Sequence, residues 1–169
     1  MKEKIHIRQA KLQDLDAIER IELENFSEEE AIPRQILKDH IEKIQTTFLV
    51  AECQGQILGY LEGPVRPERY LIDSSFSEVE DLSHLEKGFI SITSLSIAKE
   101  AQGLGVGTLL LEAMKEIVLK DNRQGINLTC HDYLIPYYEK QGFTNEGRSE
   151  SQYAGEVWYN LVWENENLD

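Results

Sequence analysis

The sequence predicts a single α/β domain built around one mixed β-sheet. Its 169 residues are a usual length for one domain, and 41% of them are hydrophobic, which is enough for a buried core. Segments with strand and helix periodicity follow one another in the order β-α-α-β-β-β-α-β-α-β. No linker, internal repeat or low-complexity tract interrupts this order, so a second domain is not expected.

The first half of the chain is predicted to form one strand, two helices and a hairpin. Residues 5–11 alternate in polarity as a strand does, whereas residues 12–26 carry apolar side chains at steps of three, as a helix does. Residues 34–44 repeat the helical pattern over a shorter length. Residues 46–54 and 57–65 have the composition of strands, and the Gln-Gly-Gln triplet where they meet predicts a hairpin turn.

The second half is predicted to alternate strands and helices. Residues 89–99 form a strand, because isoleucine and leucine recur there among β-favouring neighbours. A glycine-rich stretch follows and opens a helix that reaches about Asn122. Residues 125–130 form the next strand, and residues 132–142 a short helix that ends at a glycine. Residues 156–165 complete the domain as a final strand.

Between the two halves, residues 66–88 are polar and rich in serine and carboxylates, with no strand or helix pattern. A loop of this length inside a compact domain is uncommon and is often functional or mobile. A solvated insertion without a role in the site is an equally open interpretation.

The charge of the chain argues against a nucleic-acid partner. It has 31 Asp and Glu residues against 17 Lys and Arg residues, which gives a formal net charge of -14 at pH 7. Such a chain repels a phosphate backbone unless basic residues form a local stripe, and here they are scattered. No apolar run approaches the ~20 residues that cross a bilayer, so no membrane partner is expected.

No metal is expected, because the cysteines and histidines, including His40, lack the spacing of metal ligands. Cys53 and Cys130 are the only cysteines, and neither belongs to a CxxC pair. No secretory leader is visible, so a reduced, cytoplasmic setting is the simplest interpretation. Cys130, His131 and Asp132 superficially resemble a nucleophilic triad, but adjacent residues at a strand end point in different directions.

Three glycines alternate with apolar residues between the strand at 89–99 and the helix that follows. Gly103, Gly105 and Gly107 allow unusual backbone dihedrals and carry no side chain that would block an approaching ligand. A helix N-terminus adds unpaired N–H donors and about half a positive charge. Together they predict a cradle for an anion such as a diphosphate. The alternative is a tight strand–helix turn with no ligand.

Two other phosphate-binding motifs do not fit this stretch. The G-x-x-x-x-G-K-[ST] motif requires a lysine–hydroxyl pair after the loop, and the chain has no such pair there. The G-x-G-x-x-G dinucleotide motif places Thr108 or Leu110 where its third glycine should be. Neither a Walker A loop nor a Rossmann domain is therefore predicted.

Two segments resemble the GNAT N-acetyltransferases. The hexapeptide QGLGVG, residues 102–107, matches the acetyl-CoA signature Q/R-x-x-G-x-G/A, follows a strand and opens a helix. The stretch IPYYEKQGF, residues 135–143, is similar to the family's helical Y-E-K-x-G-F element, and LTCHDYLIPYYEKQGF resembles the arylalkylamine N-acetyltransferase branch. The resemblance covers residues 5–165 as one N-acetyltransferase domain. It implies a mixed, mostly antiparallel sheet, splayed between its fourth and fifth strands and flanked by about four helices.

The resemblance also implies acetyl-CoA as the cosubstrate and a set of residues around it. Leu95, Ser96 and Ile97 would line the pantetheine arm. The backbone of Leu95 and Ile97 would bond that arm like an added strand, and the Ile97 N–H would face the thioester carbonyl. The cofactor diphosphate would be held by Gly103, Leu104, Gly105, Val106, Gly107 and Thr108, and Gln102 would also bind the cofactor.

Tyr138 corresponds to the family's tyrosine beside the cofactor sulfur. A phenol at that place could give a proton to the departing thiolate, a general acid contribution typically worth about 10²–10⁴-fold. From spacing alone, a packing role for an aromatic residue on a short helix is an open alternative. The neighbouring Tyr137 is expected to point elsewhere on the helix.

At the general base, the sequence departs from the arylalkylamine pattern. That branch carries two histidines on the strand before the glycine loop, and Ser91 and Thr93 stand at those positions here. Neither hydroxyl can act as a base near neutral pH. Both could instead support a water chain to a carboxylate, and Glu62 on the third strand could reach the cleft or bind the substrate ammonium. A polar strand face and a solvated carboxylate are the alternatives.

The expected activity is transfer of the acetyl group of acetyl-CoA to an amine by direct attack. A small arylalkylamine or a polyamine is the favoured acceptor, and the acidic run at residues 28–30 could attract such cations. A protein lysine or an N-terminal amine is an alternative acceptor. A non-catalytic acetyl-CoA-binding module is an alternative function, because the two histidines are missing. A monomer and a homodimer are both open.

Overall fold

Residues 4–168 are described in the computed structural model, where they form four α-helices and two β-sheets. None of these helices is long and apolar enough to cross a bilayer. The helices are α1 (Leu15–Asn25), α2 (Arg34–Lys43), α3 (Val106–Lys120) and α4 (Ile135–Lys140). The strands are β1 (His6–Gln9), β2 (Phe48–Cys53), β3 (Gln56–Glu62), β4 (Val65–Arg66), β5 (Phe89–Ser91), β6 (Ser94–Ile97), β7 (Gly125–Cys130), β8 (Thr144–Arg148) and β9 (Tyr159–Glu164).

The two sheets confirm the predicted α/β class with a mixed, mostly antiparallel arrangement. The first sheet has the order β1-β2-β3-β6, and each neighbouring pair in it is antiparallel. The second has the order β4-β5-β7-β9-β8, in which the β5–β7 pair alone is parallel. The predicted hairpin is also present, because β2 and β3 pair as far as Cys53 and Gln56 across a two-residue turn.

The predicted strand at 89–99 is interrupted, and this interruption opens the sheet. β5 pairs in parallel with β7 as far as Ser91, which lies opposite Asn127. Ile92 and Thr93 then form a break, after which β6 pairs with β3 on its other side. Among the described residues β6 has no ladder to β7, so the strands splay apart there. The splay lies between the fourth and fifth predicted strands, as the family resemblance implies.

Helices cover both faces of the first sheet. The hydroxyl of Ser96 in β6 accepts a hydrogen bond from Asn25 of α1 at 2.8 Å. The next side chain, Ile97, approaches the start of α3, with its Cδ1 3.9 Å from the position that a β-carbon on Gly107 would take. Because neighbouring residues of a strand point to opposite faces, α1 and α3 lie on opposite faces. The fully buried apolar side chains include Ile18, Ile21, Leu61, Leu110 and Met114.

The polar segment at 67–88 is held against the domain by two side chains from the second half of the chain. Arg123 is only 5% exposed and donates hydrogen bonds to three backbone carbonyls between residues 83 and 87. Asn127 of β7 is fully buried and donates to two backbone carbonyls at residues 68–69, at 3.1 and 2.7 Å. Both ends of the segment are therefore anchored, which differs from a freely solvated insertion.

One strand and some boundaries differ from the sequence prediction. The sequence predicts no strand at residues 144–148, yet β8 forms there as an edge strand paired with β9. Its five residues are polar or glycine and exposed or half-buried, so they lack the apolar alternation that identifies a strand. The final strand begins at Tyr159 rather than at residue 156. Short 3-10 turns precede α1 and α4, where the sequence predicts continuous helices.

Candidate active site

A long groove runs along the free edge of β6, over the glycine loop and the start of α3, to α4. Its volume is about 630 Å³. Of the residues predicted to contact the cofactor, all but Ser96 and Leu104 line it. Those lining it are Leu95, Ile97, Gln102, Gly103, Gly105, Val106, Gly107, Thr108 and Tyr138. The long groove therefore brings together three elements that are separate in the sequence.

The side chains of Ser96 and Leu104 lie outside the long groove. Ser96 is 2% exposed and faces α1, where its hydroxyl is bonded to Asn25 and to the Ile21 carbonyl. It cannot line the groove with its side chain, because Leu95 and Ile97 on either side of it point the other way. Leu104 is 63% exposed at the tip of the glycine loop. Ser96 can therefore offer a ligand in the groove only its backbone, and the Leu104 side chain does not line the groove.

The backbone of β6 presents polar groups along the groove. The Ala98 N–H donates to the Leu58 carbonyl at 2.8 Å. The backbone N–H and C=O groups of the even-numbered residues in this strand therefore point toward β3. In an antiparallel ladder these directions alternate, so the N–H groups of Leu95 and Ile97 point to the unpaired edge. The Ile97 carbonyl already accepts a hydrogen bond from Asn25 at 2.7 Å. Its N–H is therefore the group of Ile97 that faces the groove.

The glycine loop and the start of α3 have the features of an anion cradle. Gly103 and Gly105 have φ angles of 83° and 80°, which side-chain-bearing residues rarely adopt. No atom lies within 4 Å of a β-carbon placed on either residue, so a side chain there would project into open space. α3 begins at Val106, and the first N–H groups of a helix have no partner within it. The donors present therefore fit a phosphate group.

Gly107 has a different reason to lack a side chain. A β-carbon at this position would lie 2.3 Å from the phenol oxygen of Tyr137. The expectation that Tyr137 points elsewhere is therefore wrong, since it lines the long groove together with Tyr138. Neighbouring helical residues differ in direction by about 100°, and both reach the groove because it passes around one end of α4.

Tyr138 lies at the inner end of the long groove. It is 7% exposed, and its ring packs edge-on against Phe143 with centroids 5.6 Å apart. Burial raises the pKa of this phenol well above its usual value, and the nearby Cys130 and Tyr137 add to the shift. The phenol therefore stays protonated over the working pH range of most enzymes and can donate a proton. Burial likewise raises the pKa of the Cys130 thiol to about 12, so this cysteine is a poor nucleophile.

A second, smaller cavity meets the long groove at Leu95 and Tyr138 and has a volume of about 100 Å³. We call it the aromatic cavity. Its walls include two stacked ring pairs, with centroids 4.1 Å apart for Phe76 and Tyr153 and 4.3 Å apart for His131 and Trp158. Phe76 comes from the polar segment at 67–88, which therefore contributes to the site. His131 contacts Glu30 rather than Cys130, with its Nε2 3.3 Å from a Glu30 carboxylate oxygen.

Glu22 of α1 is a buried carboxylate in the wall of the aromatic cavity, and it is 2% exposed. Its Oε1 accepts hydrogen bonds from the hydroxyls of Tyr60 and Ser94, and its Oε2 accepts the Ile32 N–H at 2.9 Å. Burial raises the pKa of Glu22 and the Glu62 charge adds to this, although the three hydrogen bonds act in the opposite direction. Glu22 is not among the residues that the sequence predicts for the site. The sequence feature that could have identified it is its position, since it is a carboxylate four residues after Ile18 on the apolar stripe of α1.

Of the three residues predicted for a proton path, Thr93 and Glu62 are connected by a hydrogen bond and Ser91 is not part of it. Thr93 lines the aromatic cavity, and its hydroxyl donates to Glu62 Oε1 at 2.5 Å. Glu62 is fully buried, which excludes the solvated alternative, and its Oε2 lies 2.8 Å from His40 Nδ1. It reaches the cavity through Thr93 rather than directly. Ser91 is also fully buried, but its hydroxyl has no hydrogen-bond partner within residues 4–168 and does not line the cavity.

His40 is a second residue that sequence reasoning does not assign to the site. Its side chain is completely buried beside Glu62, and its Nε2 has no partner in the described part of the chain. Burial opposes a charged ring, but the Glu62 charge and hydrogen bond outweigh it, so the pKa of His40 is raised. Asp39 also raises this pKa, and Lys43 lowers it.

Comparison with known proteins identifies the family. Residues 11–164 match the family model described as acetyltransferase (GNAT) domain. The chain belongs to the GNAT acetyltransferases. This GNAT chain is 30% identical over 145 residues to an N-alpha-acetyltransferase of Sulfurisphaera tokodaii, covering 81% of its own length and 78% of the relative. It is also 30% identical to an uncharacterized N-acetyltransferase of Methanocaldococcus jannaschii, over 64% of its length and 56% of that relative.

Solved structures share the GNAT fold at lower identity. The loading GNATL domain of CurA from Lyngbya majuscula has a TM-score of 0.80 and 15% identity, covering 95% of this chain and 98% of that one. Arabidopsis thaliana Naa50, in complex with the bisubstrate analogue CoA-Ac-MVNAL, has a TM-score of 0.73 and 15% identity, covering 95% and 99%. The family match and the named relatives together show that this GNAT protein is an acetyl-CoA-dependent N-acetyltransferase.

Proposed function

We propose that the long groove holds acetyl-CoA and that the aromatic cavity holds a small primary amine, which receives the acetyl group. The observation that carries this proposal is the junction of the two spaces at Leu95 and Tyr138. A thioester carried along β6 would reach this junction from one side, and an amine in the cavity would reach it from the other. When bound, acetyl-CoA supplies an activated acyl group.

The cofactor half of the proposal depends on backbone donors. The diphosphate would lie against the N-terminus of α3, where Gly103 and Gly105 leave open space and the first helical N–H groups converge. The pantetheine arm would extend along the unpaired edge of β6 as an added strand. The Leu95 and Ile97 N–H groups would bond it, with the Ile97 N–H turned to the thioester carbonyl.

Tyr138 is proposed as the general acid that protonates the departing thiolate. It lines both spaces, and burial keeps its phenol protonated. In water a thiol, with a reference pKa of about 8.5, is a stronger acid than a phenol, at about 10. The transfer therefore requires a cleft that excludes water, where the unsolvated thiolate becomes a stronger base. General acid help of this kind is typically worth about 10²–10⁴-fold in rate.

The acceptor half of the proposal depends on the walls of the aromatic cavity. Aromatic faces and carboxylates together suit an ammonium group attached to a flat or apolar body. Glu22, held by three donors, would bind the ammonium end, and the stacked pairs Phe76–Tyr153 and His131–Trp158 would enclose the remainder. The small volume favours an arylalkylamine over a long polyamine. The likeness of LTCHDYLIPYYEKQGF to the arylalkylamine branch supports the same acceptor.

A second candidate acceptor is the N-terminal amine of a polypeptide. It is favoured by one observation, the 30% identity over 81% of this chain to a relative named N-alpha-acetyltransferase. In this alternative the amino group of the first residue would enter the aromatic cavity, and the rest of the polypeptide would lie outside it. The acidic residues at 28–30, of which Glu30 alone lines the cavity, would then face the substrate chain.

An acceptor screen separates these possibilities. Thiol release from acetyl-CoA would be measured with phenethylamine, tryptamine, spermidine, a peptide with a free N-terminus, and the same peptide N-terminally blocked but carrying lysine. The proposal predicts the highest kcat/KM for the two arylalkylamines. Turnover of the peptide with a free N-terminus alone would mean that the acceptor is the N-terminal amine of a polypeptide and not an arylalkylamine. Tight CoA binding without thiol release from any acceptor would contradict both candidates.

A further inference from the structure

We propose that Thr93 and Glu62 take up the proton that the acceptor ammonium loses before attack, with His40 as the positioning residue that holds the Glu62 carboxylate. This inference rests on the proposed function, because it concerns the same aromatic cavity. An ammonium has no lone pair, so an amine that binds in its charged form must be deprotonated within the site. The proposed function assigns no group to this step.

The path from the cavity to the carboxylate is a chain of two hydrogen bonds. Thr93 lies in the two-residue break between β5 and β6, so its hydroxyl reaches the cavity while it donates to Glu62 Oε1 at 2.5 Å. Glu62 is fully buried under this hydroxyl and does not line the cavity itself. A proton from the amine would therefore reach Glu62 through the Thr93 oxygen.

The proton transfer balances without any additional reactant. The Thr93 oxygen accepts the ammonium proton while its own hydroxyl proton moves to Glu62 Oε1. One N–H bond and one O–H bond break, two O–H bonds form, and the amine nitrogen keeps the electron pair with which it attacks. Glu62 becomes a neutral carboxylic acid. After the acetylated amine leaves, the proton returns to solvent through the same hydroxyl.

Glu62 suits proton uptake better than Glu22, the other buried carboxylate of the site. Glu22 Oε1 already accepts two hydroxyl hydrogen bonds and its Oε2 accepts a backbone N–H, so both of its oxygens are already held by donors. Within the described residues, Glu62 Oε1 accepts one hydrogen bond, from the hydroxyl of Thr93.

His40 acts through Glu62 and does not reach the cavity. Its Nδ1 is bonded to Glu62 Oε2 at 2.8 Å, so a ring that donates from Nδ1 leaves Oε1 turned to Thr93. The groups that act electrostatically on the imidazole are Glu62 from β3 and Asp39 and Lys43 from its own helix. Because the ring is buried and its other nitrogen has no partner in residues 4–168, the bond to Glu62 fixes its orientation.

The test compares Thr93→Val with Thr93→Ser. Valine keeps the shape of threonine but breaks the chain of hydrogen bonds, whereas serine keeps the hydroxyl. At pH 7 we expect Thr93→Val to lower kcat/KM for the amine by about 10²-fold or more. The deficit should shrink about tenfold per pH unit toward pH 10, because the variant depends on amine that is already deprotonated in solution. Thr93→Ser should stay close to wild type.

Two controls separate this role from structural damage. The CoA dissociation constant of Thr93→Val should match that of wild type, and the variant should stay folded with a melting temperature lowered by the loss of one buried hydrogen bond. His40→Leu, which removes the donor to Glu62, should lower kcat with a similar pH dependence and leave KM for acetyl-CoA unchanged. His40→Asn, which keeps a donor, should recover much of this loss. A folded Thr93→Val protein with wild-type activity, or with a deficit that is the same at every pH, would overturn the inference.

An NMR titration tests the Glu62–His40 pair without any turnover. The His40 imidazole signals of the free protein should titrate at a lower pH in Glu62→Gln than in wild type, because the variant removes the facing negative charge. Identical titrations would overturn the role of His40. A wild-type protein that acetylates no amine would instead overturn the proposed function, and the two failures are therefore distinguishable.

Discussion

The phenol oxygen of Tyr137 lies directly over Gly107, so close that a β-carbon on this glycine would come within 2.3 Å of it. The contact joins α4 to the first turn of α3 beside the long groove. It also shows that the three glycines of the loop have two different functions. Gly103 and Gly105 provide positive φ angles, and Gly107 provides space for Tyr137.

The first prediction concerns this contact. Gly107→Ala should weaken CoA binding at least about tenfold, because Tyr137 must move across the groove to avoid the new methyl group. Adding Tyr137→Phe to the same chain should restore most of the loss, since the next ring atom lies 3.5 Å from the β-carbon position. Calorimetric titration of CoA into the two single variants and the double variant gives the coupling energy. Additive effects would contradict the contact.

The second prediction concerns the proposed general acid. Tyr138→Phe should lower kcat about 10²–10⁴-fold and leave the CoA dissociation constant nearly unchanged. Because burial raises the phenol pKa, wild-type kcat should show no loss from ionisation of this tyrosine up to about pH 10. Tyr70→Phe is the matched control, since Tyr70 lies outside both the groove and the cavity. A Tyr138→Phe enzyme as fast as this control would remove the acid assignment.

The third prediction concerns Glu22 as the site of the substrate ammonium. Glu22→Gln should raise KM for the amine at least about tenfold and leave KM for acetyl-CoA unchanged, because it removes a buried negative charge from the cavity wall. Glu19→Gln, in the preceding turn of α1 and paired with Arg34 at 2.9 Å, is the control and should bind the amine normally. Equal KM values for the two variants would count against the assignment.

Glu22 should also make stability depend on pH. Its folded-state pKa is raised, so its favourable contribution is present at low pH and is lost as the pH rises through the folded value, above the usual 4.5. The free energy of unfolding of wild type, relative to Glu22→Gln, should therefore fall as the pH rises above about 4.5. Denaturant melts at several pH values measure this difference. A difference that grows with pH would mean that the carboxylate is stabilised in its charged form.

The fourth prediction concerns the aromatic cavity. Phe76→Ala removes one ring of the stacked pair with Tyr153 and enlarges the cavity. It should lower kcat/KM for phenethylamine and tryptamine about tenfold, and that for a short alkylamine much less, because only the aryl body contacts this wall. Competition between an arylalkylamine and an alkylamine in one reaction measures the change in preference directly. An equal loss for both amines would mean that Phe76 only supports the fold.

The residues that line the long groove could be predicted because they are local in the sequence. The glycines, the strand before them and the helix after them are contiguous, and each of these sequence patterns predicts its local structure for a simple physical reason. What this local pattern could not give was the direction of single side chains. Ser96 faces α1, and Tyr137 reaches the groove, because strand pairing and the crossing of α4 over α3 decide these directions.

The aromatic cavity could not be predicted because its residues come from distant segments. Phe76 lies in a polar loop, Trp158 just before β9 and Glu22 on α1, and only tertiary packing brings them together. A buried carboxylate on a helix is also hard to recognise, since most glutamates at such positions lie in solvent. His40 does not lie at the spacing of metal ligands in the sequence, and its proposed role depends on one hydrogen bond to another buried side chain.

The central claim is that the glycine loop and the N-terminus of α3 bind the diphosphate of acetyl-CoA. The most direct measurement is a pair of NMR titrations, one with CoA and one with pantetheine, which lacks the diphosphate. The amide signals of residues 103–108 should move strongly with CoA and hardly at all with pantetheine, and those of Leu95 and Ile97 should move with both. Amide signals of the loop that stay in place at saturating CoA would contradict the account.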